Sequence, residues 1–328
     1  MKRIKFVFVV LLSLIVVSCD ILDTGRSKKK DYSLQTLDPS NITSTSAVLY
    51  ASVNVDNLPD KYQLGFFIST NVGPSQYNGT KVLVSDIGNN NTFSALAIDL
   101  EGSKTYYYCA FVLVGSSYVF SEEKQLITKP FKFGAVDLGL SVKWANANIG
   151  VDTPEGAGDY YAWGEIEPKD GSYSWSTYKY CNGGRNNLTK YNTKANFGYV
   201  DNKTVLDDED DVAHVKLGGS WRMPTWEEML ELMATKGNPA YNWTWKTIND
   251  VSGWNISFLG NGNSIFFPSV GNIYNDNHNT SHGHYWSSLL SKEDPDCAWS
   301  IEWDKTGVNT GGLADRFIGQ SVRAVSEE

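Results

Sequence analysis

Cysteine, histidine and methionine are scarce in this 328-residue chain, with four of each. The cysteines (Cys19, Cys109, Cys181 and Cys297) stand far apart, so the chain has no CxxC pair and no zinc-ligand spacing. It also lacks an HExxH helix and a GxSxG elbow, the sequence signatures of metalloproteases and of many serine hydrolases. No long apolar run follows residue 17, which excludes a second membrane span of helical type. Positive charge is in deficit: Lys and Arg number 28 against 37 Asp and Glu, a formal net charge of −9 that argues against nucleic acid as a partner.

The one apolar run opens the chain. "MKRIKFVFVVLLSLIVVSCD" has a basic start at Lys2, Arg3 and Lys5, an apolar stretch from Phe6 to Val17, then Ser18 and Cys19. The stretch is short for a bilayer span and ends at a small residue before cysteine. This resembles a bacterial lipoprotein signal with a Val16–Cys19 lipobox. The resemblance implies a signal peptide over 1–18, lipid attachment at Cys19, a tether over 19–32, and an outer-membrane lipoprotein of the cell envelope, facing outward. Losing the three signal cations takes the formal net charge from −9 to −12. The basic run Arg26, Lys28, Lys29 and Lys30 suits a solvated tether near anionic headgroups. Three cysteines remain besides Cys19, an odd number that rules out a complete disulfide framework and leaves a Cys181–Cys297 pair open.

All eleven tryptophans lie beyond residue 130, which separates two cores. Over 33–128 the segments "SAVLYASVNV", "YQLGFFIST", "TFSALAIDL", "TYYYCAFVLVG" and "EEKQLIT" alternate and are broken by turn residues, as in an antiparallel sandwich. "LEGSKTY" sets Leu100 six residues before Tyr106, the arrangement in which a tyrosine hydroxyl ties the turn between sheets. This all-β region resembles a fibronectin type III domain, which implies a spacer or adhesion module. "TKPFKFG" reads as a linker.

From 131 to 328 short strands alternate with Gly/Asn-rich connections and few helices, an α+β pattern with one dominant sheet. In "GGSWRMPTWEEMLELM", Thr225 and Glu228 form a capping box after Pro224, and Trp226, Met229, Leu232 and Met233 share one helical face. Arg222 is expected to be structurally paired there. The ordered segments "VDLGLSVKWANANIG", "GDYYAWGE", "VDNKTVLDDEDDVAH", "GGSWRMPTWEEM", "YWSS" and "QSVRAV" resemble the Fibrobacter succinogenes major paralogous domain family. That family is similar to the C-type lectin fold, shared with formylglycine-generating enzymes and retroelement-diversified receptor-binding proteins. The resemblance implies that the first and last strands of the region share a sheet, and that later strands display a ligand surface.

Candidate sites follow from residue chemistry. Asp207, Asp208, Glu209, Asp210 and Asp211 lack the glycine of a calcium loop and read as solvated acids at a helix start. "EPK" at Glu167–Lys169, with no WND, departs from the sugar-binding lectin pattern. His278, His282 and His284 crowd one segment but have no carboxylate at a standard spacing, so they are read as a polar loop and no metal or cofactor is expected. Cys181 and Cys297 show no activating base beside them. In "AWSIEWDK", Trp299, Ile301 and Trp303 share one strand parity and are expected inside, with Ser300, Glu302 and Asp304 outside. The expected ligand surface comprises Ser300, Glu302, Asp304, Lys305, Asn309 and Arg316, and Thr310 and Asp315 lie in the same stretch. Its bland alternative is a solvated sheet edge. The function this favours is non-enzymatic binding or adhesion, to a glycan or surface protein, with the membrane engaged through the lipid. The alternatives are a hydrolase or cysteine-dependent modifying enzyme, and a structural subunit of a surface assembly.

Overall fold

The computed structural model describes residues 32–84, 88, 90–309 and 312–328. Cys19 and nearly all of the expected tether lie outside the described residues. The first region holds β1 (Gln35–Ser40), β2 (Ala47–Ser52), β3 (Gln63–Ser69), β4 (Thr80–Leu83), β5 (Thr92–Ala97), β6 (Thr105–Val114), β7 (Ser117–Phe120) and β8 (Lys124–Ile127). One sheet runs β1-β2-β5; the other runs β4-β3-β6-β7, with β8 also on β6. All pairings are antiparallel, and the inner faces bury Leu49, Phe66, Phe93, Tyr108 and Val112. This is a β-sandwich. The Tyr106 hydroxyl accepts from the Glu101 N–H at 2.9 Å and so ties the turn that the "LEGSKTY" spacing marks. Five of the eight strands coincide with alternating segments in the sequence. The other three are peripheral: β4 is mostly exposed, and β1 contains Pro39 and a register shift, both common on sheet edges.

The second region holds β9 (Ala135–Val136), β10 (Lys143–Ala145), α1 (Val212–Leu217), α2 (Trp226–Ala234), β11 (Tyr241–Ile248), β12 (Val251–Phe258) and β13 (Ser264–Pro268). It continues with β14 (Asn272–Tyr274), β15 (Asn277–Asn279), β16 (Gly283–Leu290), β17 (Cys297–Trp303), β18 (Val308–Asn309), β19 (Leu313–Asp315) and β20 (Val325–Ser326). Its opening strands share a sheet with its last: β10 lies between β9 and β20, with Trp144 opposite both Val136 and Val325. No sheet dominates, contrary to the sequence expectation. The strands form several small sheets, separated by long connections that pack on their own aromatic residues. The region is β-rich, and its only α-helices among the described residues are the six-residue α1 and the nine-residue α2. None of the described helices is long and apolar enough to cross a membrane.

The corner before α2 is tied by its own side chains. Thr225 Oγ1 accepts from the Glu228 N–H, and Glu228 accepts from the Thr225 N–H, completing the capping box. Arg222 clasps the same carboxylate with two bonds of 2.8 and 2.6 Å, and its backbone bridges to Val325. The helix buries Trp226, Met229, Leu232 and Met233 against Trp144, Ile301 and Trp303. The hydrophobic clusters of the two regions share no residue. Polar contacts join them: Asp99 accepts from Asn255 at 2.6 Å, Ser257 at 2.7 Å and Asn242 at 3.1 Å.

Candidate functional site

Strand alternation places residues 282 and 284 on one face of their strand, and 302 and 304 on one face of theirs. β16 and β17 pair antiparallel with Gly283 opposite Trp303 and His284 opposite Glu302. The two histidines and the two acids therefore meet across the ladder. His284 Nε2 lies 4.0 Å from Glu302 Oε1, His282 Nδ1 lies 4.0 Å from the same oxygen, and His282 Nε2 lies 3.7 Å from Asp304 Oδ2. Gly283 has no side chain for a packing reason. A Cβ there would stand 2.0 Å from the Trp303 indole nitrogen, on the face opposite the histidines.

Two of the four groups, His282 and Asp304, are held from behind. Ser281 Oγ donates to Asn279 Oδ1 at 2.7 Å and lies 2.6 Å from His282 Nδ1. The Ser281 hydroxyl thus engages the ring at Nδ1, and Nε2 is the nitrogen turned toward Asp304. Asp304 Oδ1 accepts from the Thr306 hydroxyl and from the Thr306 and Gly307 N–H groups, which hold its carboxyl below the usual range. The Trp254 indole donates to the Asp304 carbonyl at 3.0 Å and anchors the strand end to β12. His284 is deeper. Its side chain is 12% exposed, its Nε2 is buried without a hydrogen-bond partner, and burial lowers its pKa despite Glu302. An open basin of about 270 Å³ lies over the cluster, lined by His282, Glu302, Trp303, Asp304, Thr306, Gly307, Val308 and Asn309.

The expected ligand surface is therefore partly assembled. Glu302 and Asp304 are half-exposed, and Lys305 and Asn309 are exposed. Ile301 and Trp303 are buried as their parity predicts, while Trp299 is half-buried and stacks on Trp226 at 4.8 Å. Two residues do not belong to the surface. Ser300 is buried because the chain folds back as β19 along β17 and the Ser300 N–H donates to the Gly312 carbonyl. Arg316 is fully buried: its guanidinium donates to the Tyr178 hydroxyl and to the carbonyls of Tyr191, Pro295 and Lys190, against the faces of Trp163 and Tyr178. Aromatic faces and a cage of carbonyls hold a planar cation inside. Thr310 lies outside the described residues.

Other sequence candidates resolve differently. Cys181 and Cys297 are free thiols; they do not pair. Burial, reinforced by Asp296 and Asp315, pushes the Cys297 thiol up to about 12, far from thiolate reactivity at neutral pH. The acidic run is not simply solvated. Asp211 is a buried N-cap for α1, accepting from Ala213 and His214 and also from Met223. Asp210 is buried among Lys190, Lys179, Tyr180 and Tyr191. Burial alone would raise its carboxyl, but the hydrogen bonds from Lys190 and the two tyrosines outweigh that and lower it to about 2.

Sequence reasoning missed two buried ionic centres. Arg323 is fully buried, forked onto Asn148 Oδ1 at 2.9 and 2.7 Å and stacked on Phe267. Asp296 is fully buried beneath Arg185. A single arginine inside the apolar alternation of "SVRAV" was the available signal for the first; nothing local marks the second.

No protein-family model matches the chain, and no curated protein matches it. Among solved structures it is similar to a computer-redesigned β-sandwich protein at 21% identity, over 30% of this chain and 97% of that one, with a TM-score of 0.23. The sensor domain of the anti-sigma factor RsgI4 from Pseudobacteroides cellulosolvens is similar at 20% identity, over 30% of this chain and 93% of that one, with a TM-score of 0.22. A DUF4784 family protein from Bacteroides caccae is similar at 7% identity, over 86% of this chain and 50% of that one, with a TM-score of 0.22.

Proposed function

We propose that this protein is a lipid-anchored component of the cell envelope, held at Cys19, in which a fibronectin type III-like sandwich carries a C-type-lectin-like head that binds a ligand without catalysis. The observation that carries the reading is the open basin on β16–β18, where His282, Glu302, Asp304 and Asn309 present polar groups beside Lys305. Closely spaced carboxylate, imidazole and amide groups on a rigid ladder suit hydrogen-bonded recognition of a glycan or a polar protein surface. The elevated Cys297 thiol supports binding over cysteine chemistry. The antiparallel meeting of β10 and β20 supports a lectin-like frame.

The test uses the Cys19→Ala chain, which is expected to leave the membrane fraction and to be recovered soluble. On an array of glycans and envelope proteins it should retain a ligand, and Glu302→Ala and Lys305→Ala should each weaken that binding about tenfold or more, or roughly 1.4 kcal/mol. Membrane retention of Cys19→Ala would refute the anchor. Ligand binding indifferent to both surface substitutions would refute the site.

A further inference from the structure

Three clusters among the described residues bring together enough ligand atoms to hold a metal ion: Asp207, Glu209 and Asp210; Asp296, Cys297 and Asp315; and His282, His284 and Glu302. The first already contains a cation, since Lys190 Nζ reaches Asp207 at 2.7 Å, Glu209 at 3.2 Å and Asp210 at 2.6 Å. The second contains another, the guanidinium of Arg185 against Asp296. The third differs: among the described residues no lysine or arginine forms an ion pair with Glu302 or Asp304, and both carboxylates face imidazoles instead.

We propose that His282, His284 and Glu302, with Asp304 completing the set, bind a divalent transition-metal ion of the zinc class. Two imidazoles and a carboxylate are a donor set suited to zinc and its neighbours and poorly suited to calcium or magnesium, which take oxygen ligands. The spacing fits. Ligands about 2.1 Å from a tetrahedral ion stand about 3.4 Å from one another. One ligand atom from each of His282, His284 and Glu302 lies within 4.8 Å of the others; His284 Nε2 stands 4.0 Å from Glu302 Oε1 and His282 Nε2 stands 3.7 Å from Asp304 Oδ2, too long for direct hydrogen bonds and within reach of the metal-bound value by side-chain rotation. The buried His284 Nε2 with no partner is the group a metal would satisfy. The donors are also prepared: the Asn279–Ser281 pair engages His282 at Nδ1, and the turn at Thr306 and Gly307 fixes Asp304 with Oδ2 toward His282 Nε2. Backing of this kind orients a ligand before the ion arrives. The basin over the cluster gives an ion a path in from solvent. The inference goes beyond the ligand-surface reading and is tested separately from it, because zinc binding is measured with no glycan or protein present.

The experiment is calorimetric titration of chelator-treated Cys19→Ala protein, purified without a histidine tag, with zinc chloride. One zinc per chain is expected. His284→Asn and Glu302→Gln should each weaken binding on the order of a hundredfold. His278→Asn should leave it unchanged, because that ring contacts the Tyr160 hydroxyl and the Val270 carbonyl instead. Cobalt in place of zinc should give a spectrum without a thiolate charge-transfer band, a readout on the unsubstituted site that does not depend on any variant folding. Calcium at equal concentration should not compete. The proposal is overturned by no saturable zinc binding, by binding that survives the His282→Asn, His284→Asn pair, or by a thiolate band that disappears with Cys297→Ser.

Discussion

Arg316 separates a ligand surface from an interior more sharply than any other residue. A charged residue following the Gly-rich turn after β18 is expected in solvent, and Arg316→Ala would then leave stability unchanged. The structure gives a different magnitude. Truncation removes four hydrogen bonds, of 2.9, 2.9, 3.0 and 3.1 Å, from a fully buried side chain. It leaves three backbone carbonyls and one phenol without their donor, each at about 1 kcal/mol or more, and it opens a cavity beneath Trp163. Some water enters, so the expected loss is about 3–5 kcal/mol, near the upper limit for single substitutions. Arg316→Lys keeps the charge but not the planar fork, and should lose about 2 kcal/mol. Because every tryptophan lies in the second region, selectively excited tryptophan fluorescence during urea unfolding reports on that region. With a slope of a few kcal/mol per molar, the Arg316→Ala midpoint should fall by on the order of 1–2 M, while Glu302→Ala should remain within about 0.5 kcal/mol of the unsubstituted chain. An Arg316→Ala midpoint equal to that of the unsubstituted chain would refute the reasoning and return Arg316 to the surface.

Two further expectations concern stability. Thr225→Ala removes the cap of α2 and should lower urea stability by about 1 kcal/mol without selectively abolishing ligand binding; a stable variant that loses binding would make the corner a site. Asp210 has a folded carboxyl at about 2, below its unfolded value of 3.8, so its contribution of about 2 kcal/mol is present above pH 4 and is lost as pH falls through 2. Asp210→Asn should therefore be less stable at neutral pH and show a flatter loss of stability between pH 4 and 2. Parallel acid-unfolding curves for the two proteins would contradict this.

Local devices were legible in the sequence. The capping box of α2 needs only Thr225 and Glu228, the tyrosine tie only the Glu101–Tyr106 turn, and five sandwich strands announced themselves by alternation between turn residues. Each interaction spans a few residues, so spacing and side-chain type specify it. The parity of Ile301, Glu302 and Trp303 was legible for the same reason. The histidine segment and the "IEWD" strand were also visible, but as competing sites. They form one cluster because the β16–β17 ladder brings residues some twenty positions apart into register, and no local pattern encodes that pairing.

Tertiary structure alone decided the rest. Alternation reports which side of a strand faces which way, but not what later covers that side, and so Ser300 disappeared beneath the returning chain at Gly312. Formal charge likewise predicts solvent only where the fold offers no alternative. Arg316, Arg323 and Asp210 lie inside because carbonyls, an amide oxygen, aromatic faces and opposite charges from distant segments converge on them and replace the hydration they would otherwise lose.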